Sequence, residues 1–429
     1  MTAIVLVDGE HHPAAVKAAI GQLGVDVAAA VFCGGAEKVD PSKIGDAYGV
    51  PVVHGESAAD AMAEALRKFG ATEVVDLTDE PVLHPADRFR MASVALINGA
   101  VYRGADFELR PPSFQDVLTK PSVSVYATGK RTGKTAVASA IARTAIGAGY
   151  KPVIVAVGRG GPEQPRVIEA GTTFDAAALV AMADAGFHAA SDYIEDAITS
   201  GATTIGCRRV GGGLAGATVM SNAPVAARIA EERNEDLVIL EGSGASIPDV
   251  AARTRVVCVP AGEEIDVGGY LNPYRLLLAD MAVVTMAEQG SAAAGLEAAI
   301  RSIAPDIDVV SVAFRPKPLS PVEGRRVYFC CTASAGALPR LTEHLERAHG
   351  CTVAGATNRL ADRPALVAAL DAAPAYDVLL TEIKGPAIDV AARRALNEGR
   401  GVVFVDNEVT GEGVREAFTR LIERAAHVQ

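Results

Sequence analysis

The residues best suited to chemistry form the run Thr128-Gly129-Lys130-Arg131-Thr132-Gly133-Lys134-Thr135, which follows the apolar stretch Val123 to Ala127 and opens the Ala-rich stretch Ala136 to Ala148. Strand, glycine-bearing turn and helix start are the parts a nucleoside triphosphate requires. Successive backbone N–H groups curl around the β-phosphate, a lysine bridges the β and γ oxygens, and a hydroxyl faces Mg²⁺. Gly133, Lys134 and Thr135 supply the turn, the lysine and the hydroxyl, so ATP and Mg²⁺ are the expected cofactors. The usual pattern starts with a glycine where Thr128 stands, and here Gly129 comes one place later. Lys130 and Arg131 add cations where a transferred phosphoryl group develops charge, or else they face water.

A metal carboxylate for such a loop belongs at the end of an apolar strand beside the first one, and Leu237-Val238-Ile239-Leu240-Glu241-Gly242-Ser243-Gly244 fits. Glu241 is the expected metal ligand together with Thr135; its alternative role is a helix cap, and Glu163 is the next candidate for the ion. Two more strands end in basic, glycine-rich loops, Gly158-Arg159-Gly160-Gly161-Pro162-Glu163-Gln164-Pro165-Arg166 and Cys207-Arg208-Arg209-Val210-Gly211-Gly212-Gly213. Arginine beside glycine lets a planar fork and backbone N–H groups converge on one phosphate or carboxylate; otherwise these are solvent loops with ordinary surface arginines. The turn Asp8-Gly9-Glu10-His11-His12-Pro13 puts His11 at a strand end, where it contacts an anion, moves a proton, or simply caps the turn.

The elements that must position these groups alternate short β-branched runs with Ala-rich helical stretches from end to end, which reads as α/β with mostly parallel sheets. A central P-loop NTPase domain, residues 120–320, is expected between smaller α/β domains at 1–119, Rossmann-like, and 321–429. In the first, Ile4 to Val7, Val27 to Phe32, Pro51 to His54 and Glu73 to Leu77 read as strands, and Val94 to Ile97, Asn98-Gly99 and Val101-Tyr102 read as a hairpin. Arg110-Pro111-Pro112 marks a linker. The prolines of Arg315 to Pro321 cannot continue a central strand, which sets the second boundary. The third unit ends in an amphipathic stretch, Gly413 to Ala426.

Composition narrows the partners. In 429 residues there are 40 Lys and Arg against 52 Asp and Glu, a net charge of -12, so an anion must be held locally and neither nucleic acid nor an anionic membrane is an expected partner. Tryptophan is absent and aromatics make up 5%, which leaves few platforms for stacked bases. Six cysteines without a CxxC pair suggest buried thiols, and the absence of a secretory leader or a long apolar span suggests a cytoplasmic enzyme.

Asp8-Gly9-Glu10-His11, the loop Thr128 to Thr135, Gly158-Arg159-Gly160-Gly161-Pro162, Leu240-Glu241-Gly242-Ser243-Gly244, Phe314-Arg315-Pro316 and Thr381-Glu382-Ile383-Lys384 occur in the order in which they occur in the cyclic 2,3-diphosphoglycerate synthetase family, which the chain resembles over nearly its whole length. The loop and the Glu-Gly-Ser-Gly strand end also resemble the wider P-loop branch that contains dethiobiotin synthetase. The resemblance implies ATP- and Mg²⁺-dependent closure of an intramolecular phosphoanhydride in 2,3-diphosphoglycerate, with release of ADP and phosphate. It implies Lys130 and Lys134 as catalytic cations, and His11, Arg159, Gly160, Gly161, Arg166, Arg208 and Arg209 around the small anionic substrate. A homodimer is the expected assembly. A related ligase or kinase acting on another carboxylate or phosphate, and a nucleotide-dependent switch protein, are the alternatives.

Overall fold

The computed structural model describes residues 2–40, 44–45, 47–262, 267–288 and 292–427. The α/β alternation produces three sheets. In the central one the strands run in the order Met220–Ser221, Thr203–Val210, Pro152–Gly158, Leu237–Glu241, Ser122–Ala127, Thr254–Pro260, Met281–Thr285 and Asp308–Ser311. Arg166–Ile168 adds an antiparallel strand on Thr203–Val210. Every residue of Ser122–Ala127, Pro152–Gly158, Leu237–Glu241 and Met281–Thr285 is buried. Helices cover both faces, so these strands read as continuous apolar runs without alternation.

The helix Lys134–Gly147 is sequestered as thoroughly, with Val137, Ala138, Ile141, Ala142 and Ala145 all in the core. Its alanines allow close approach on several sides at once. It packs against the central strands, the helix Asp192–Ser200, the strand Gly401–Thr410 of the third sheet and the last helix, Val414–His427. That last helix buries Val414, Phe418, Leu421 and Ile422 in the central core, although it follows the third sheet in sequence. Its apolar stripe is therefore legible in the sequence, while the sheet that it covers is not.

The N-terminal sheet runs Val52–Val53, Asp26–Phe32, Thr2–Val7, Glu73–Asp76, Val101–Arg103, Glu108–Leu109, all parallel but the last. One expectation fails here. Val94 to Ile97 is the final turn of the helix Pro85–Ile97, and Asn98-Gly99 ends that helix instead of turning a hairpin. Met91, Ala92, Ala95 and Leu96 are buried at helical spacing, Asn98 Nδ2 donates to Val94 O, and Gly99 takes the left-handed φ of 77° that follows a helix end. An Asn-Gly pair serves either purpose, and helical periodicity upstream decides which.

The third sheet runs Ala313–Pro318, Gly401–Thr410, Val378–Thr381, Arg326–Cys330, Thr352–Thr357. The proline run does not lie outside sheet structure. Ala313–Pro318 is an edge strand antiparallel to Gly401–Thr410, a position where prolines are tolerated because one side of an edge strand needs no donors. This strand precedes the boundary at residues 320 and 321 in sequence and belongs to the third sheet in space.

Candidate active site

The phosphate loop lies between the carboxyl end of Ser122–Ala127 and the first turn of Lys134–Gly147. Gly133 caps that helix with φ 85°, and a Cβ there would lie 2.2 Å from the Phe314 ring, so only glycine fits. Phe314 comes from the edge strand of the third sheet, which thus presses on the phosphate loop. Thr285 Oγ1 donates to Thr132 O at 2.8 Å and ties the loop to a neighbouring strand. Lys130 and Arg131 are exposed, Arg131 with φ 59°, whereas Thr132 and Lys134 are buried.

Lys134 Nζ donates to Gly129 O at 3.1 Å and to Thr132 Oγ1 at 3.3 Å. Burial pushes its pKa down, with Glu241 and Asp192 among the groups that oppose the shift. A buried ammonium satisfied only by neutral oxygens is poised for anionic ones. Thr128 Oγ1 is also buried without a partner in the same loop.

Leu237–Glu241 pairs parallel with Ser122–Ala127, Glu241 opposite Val125, and so puts Glu241 beside the loop as the strand pattern requires. Thr135 Oγ1 donates to Glu241 Oε1 at 2.7 Å, and Glu241 Oε2 is buried without a donor. It does not cap a helix. Burial first, then Asp192, raises the Glu241 pKa. Burial first, then Glu241, raises that of Asp196. Asp196 Oδ2 is orphaned like Glu241 Oε2, and Ser139 Oγ holds its other oxygen at 3.2 Å.

Asp192, Glu195 and Asp196 all come from the first turns of Asp192–Ser200. In sequence, Ser191 followed by these acids looks like an ordinary helix start, where carboxylates complement the dipole. Nothing local says that they face Glu241. Glu195 pairs with Lys384 of the third unit, Nζ to Oε1 3.3 Å, and burial pushes its pKa up from 4.5 to about 8.

These shifts carry a sign. A carboxyl group whose folded pKa exceeds its unfolded one favours folding fully below the unfolded value and loses that contribution as pH rises through the folded one. The nucleotide-free, metal-free protein is therefore expected to melt at lower temperature as pH rises from 4.5 towards about 8, with a shallower slope in Glu195→Gln. Scanning calorimetry in a chelating buffer checks this, and a wild-type slope no steeper than that of the variant contradicts it.

The two basic loops divide. Arg159 and Arg209 converge over Gly244: a Cβ at Gly244 would sit 2.2 Å from Arg159 Nη2 and 3.2 Å from Arg209 Nη2. Together with Val210, Gly211, Gly212, Gly213, Ala245 and Ser246 they line a cleft of about 510 Å³. Arg209 is buried and donates to Gly211 O at 2.7 Å and to Ser243 O, with Nε unpartnered. Burial first and Arg159 second lower its pKa.

Arg208, on the opposite face of the same strand, lies 3.8 Å from Glu163 Oε1. Glu163 is 79% exposed, and its ion-pair partner is Arg208. Arg166 sits over the Phe187 ring at 5.5 Å, outside the cleft. Gly160 runs beneath His188, and a Cβ at Gly161 would strike the Cys207 carbonyl at 1.9 Å, so this loop must pass flush against the neighbouring strand.

His11 belongs to another neighbourhood. Its Nδ1 is 2.8 Å from Asp8 Oδ1 and its Nε2 3.2 Å from Asp79 Oδ2, all at the carboxyl edge of the N-terminal sheet. None of these contacts reaches the phosphate loop.

A glycine-capped helix start with a buried lysine, a hydroxyl held on a strand-end carboxylate and a parallel α/β sheet make this a P-loop nucleotide-binding enzyme. Family models described as the N-terminal domain, P-loop domain and C-terminal domain of cyclic 2,3-diphosphoglycerate synthetase match residues 2–110, 122–313 and 318–408. Proteins with that name from Rubrobacter xylanophilus and Methanothermus fervidus are 43% and 42% identical, the alignments covering 99% and 94% of this chain and 98% and 92% of those proteins. One from Thermococcus onnurineus is 44% identical, over 97% of this chain and 98% of its own length. The chain belongs to the cyclic 2,3-diphosphoglycerate synthetase family. Among the described residues no helix is long and apolar enough to cross a membrane.

Proposed function

We propose that this enzyme uses ATP to close an intramolecular phosphoanhydride in 2,3-diphosphoglycerate, giving cyclic 2,3-diphosphoglycerate, ADP and phosphate. The observation that carries this, beside the family membership, is the convergence of Arg159 and Arg209 on a cleft formed by the loop that follows Glu241. A protein of net charge -12 has little reason to gather guanidinium groups there except to hold a polyanion.

Lys134 would trade its neutral oxygens for those of the ATP phosphates, and the exposed Lys130 would follow the moving phosphoryl group from the tip of the loop, with Arg131 beside it. An oxygen of one substrate phosphate attacks the γ-phosphorus, and the bond to ADP breaks. The vicinal phosphate then attacks the activated phosphorus, the ring closes and inorganic phosphate leaves. Both partners of the second step belong to one molecule, so orientation supplies much of the rate.

Thr135 and Glu241 would hold Mg²⁺, a role that fits the orphaned, buried Glu241 Oε2. When bound, the ion neutralises phosphate charge that develops during transfer. Among the described residues no cluster of three or more His, Cys, Asp or Glu forms a protein cage for a metal, which suits an ion that shares its coordination with phosphate and water.

The same proposal includes His11, Gly160, Gly161, Arg166 and Arg208 as outer parts of the substrate approach, and units at 1–119, 120–320 and 321–429 that exchange the strand Ala313–Pro318 and the last helix. A cytoplasmic setting is supported by six cysteines that are all free. A homodimer is supported by exposed Val210, Leu214, Val219 and Met220 around the edge strand Met220–Ser221.

Arg159 is exposed, so its replacement leaves the fold alone, and a charge-assisted hydrogen bond is worth about 1.5–3 kcal/mol. Arg159→Ala is expected to raise KM for 2,3-diphosphoglycerate by about one to two orders of magnitude, with KM for ATP within about threefold of wild type. Arg208→Ala, on the other strand face, is expected to change either constant by no more than about threefold. Steady-state kinetics decide; equal effects of the two variants would contradict the placement of the substrate in the cleft.

A further inference from the structure

The third unit reaches the phosphate-loop site through the end of its strand Val378–Thr381. Glu382, just beyond that strand, is fully engaged: Oε2 accepts from Thr332 N at 2.9 Å and Thr332 Oγ1 at 2.7 Å, and Oε1 accepts from Asn407 Nδ2 at 3.0 Å. These bonds fix the turn that presents Lys384. Its side chain is 32% exposed, against 10% for its partner Glu195, so part of the stem is free to move while the ammonium lies buried against Glu195.

Burial opposes the charge of Lys384, but Glu195, Glu382 and Asp192 outweigh it and raise its pKa. Asp192 acts on Lys134 in the same sense. One carboxylate therefore stands within electrostatic reach of two lysines, one from the phosphate loop and one from the third unit.

The side on which Lys384 stands is also defined. Its partner helix, Asp192–Ser200, packs on Lys134–Gly147 and on the strands Pro152–Gly158 and Thr203–Val210. Those two strands carry Arg159 and Arg209 at their carboxyl ends. Lys384 thus approaches from the arginine side of the loop, across from Thr254–Pro260 and Met281–Thr285.

We propose that Lys384 is an anion-binding residue of the acceptor site, which swings from Glu195 to a phosphate of the phosphorylated acceptor and makes the third unit part of the active site. The proposal rests on the acceptor proposed above. An ammonium has three donors on a flexible stem, and the buried Glu195 carboxyl group is a suitable resting partner while the site is empty. The interface between the units does not depend on this pair. Arg143 Nη1 to Asp406 Oδ2 at 3.1 Å, Arg393 Nη2 to Asp184 Oδ1 at 2.7 Å and the apolar face of the last helix also join them.

The test is calorimetric titration of the full chain, saturated with AMP-PNP and Mg²⁺, with 2,3-diphosphoglycerate. Lys384→Met is expected to weaken acceptor binding about tenfold to a hundredfold and to leave AMP-PNP affinity within about threefold of wild type. Lys384→Arg should fall between the two. Glu195→Gln keeps the shape, leaves only an amide oxygen to hold the ammonium and is expected to bind the acceptor at least as tightly as wild type. A purely structural bridge predicts equal losses in Lys384→Met and Glu195→Gln, and that result overturns the proposal. Wild-type protein that binds and consumes the acceptor while Lys384→Met does so equally well removes Lys384 alone. Wild-type protein that binds no 2,3-diphosphoglycerate removes the proposed function, and this assignment with it.

Discussion

Lys134→Ala is expected to lower turnover by about three orders of magnitude or more while the protein folds and melts at or slightly above the wild-type temperature. The catalytic part follows from position: Lys134 Nζ is the one cation in the buried part of the loop between Thr128 and Thr135, and one preorganised donor to a transition-state oxygen is worth about 10²–10³ in rate before the loss of ATP binding is added. The stability part follows from burial. Desolvation lowers the lysine's pKa, so in the empty enzyme its charge is a cost to folding, and alanine removes that cost along with the function. Circular dichroism and melting curves read beside kcat separate the two. A correctly folded variant that retains ATP-dependent turnover would remove the phosphate loop from the account.

Glu241→Gln is the second large effect. The amide oxygen can still accept from Thr135 Oγ1, and the amide N–H₂ can donate to Asp196, so the hydrogen bond between the two side chains is kept without a charge at residue 241. The fold is expected to hold or tighten. The charge that would hold Mg²⁺ is lost, and kcat is expected to fall about 10²–10³-fold with a higher Mg²⁺ requirement. Titrating Mg²⁺ at saturating ATP checks both. An unchanged Mg²⁺ curve would move the metal carboxylate to Asp192, since Glu163, the next candidate from the sequence, stands exposed beside Arg208.

The parts of this site legible in the sequence are those whose partners are close in sequence or fixed by adjacent strands. Strand, turn and helix put Gly133, Lys134 and Thr135 in one loop, and parallel pairing of two apolar runs carries Glu241 to it. Asp192, Glu195 and Asp196 are hidden because a helix N-terminus favours acids whatever lies opposite. Lys384 stands at the end of the run Thr381 to Lys384, yet its placement depends on how a separate sheet docks. The arginine pair had a usable signal: neighbours in a strand face opposite ways, so Arg208 and Arg209 could not both line one cleft. Asn98-Gly99 and the proline run of Ala313–Pro318 show the converse, local signals whose outcome is set by context, a helix upstream in one case and a free sheet edge in the other.

The central claim is tested most directly by incubating the wild-type enzyme with ATP, Mg²⁺ and 2,3-diphosphoglycerate and following the products by ³¹P NMR. The expected result is that 2,3-diphosphoglycerate disappears while ADP, inorganic phosphate and a cyclic phosphoanhydride accumulate in equal amounts, and that none of this occurs without ATP. No ADP release above background with this substrate, alongside brisk release with another small carboxylate or phosphate, would contradict it and leave a ligase or kinase of different specificity in its place.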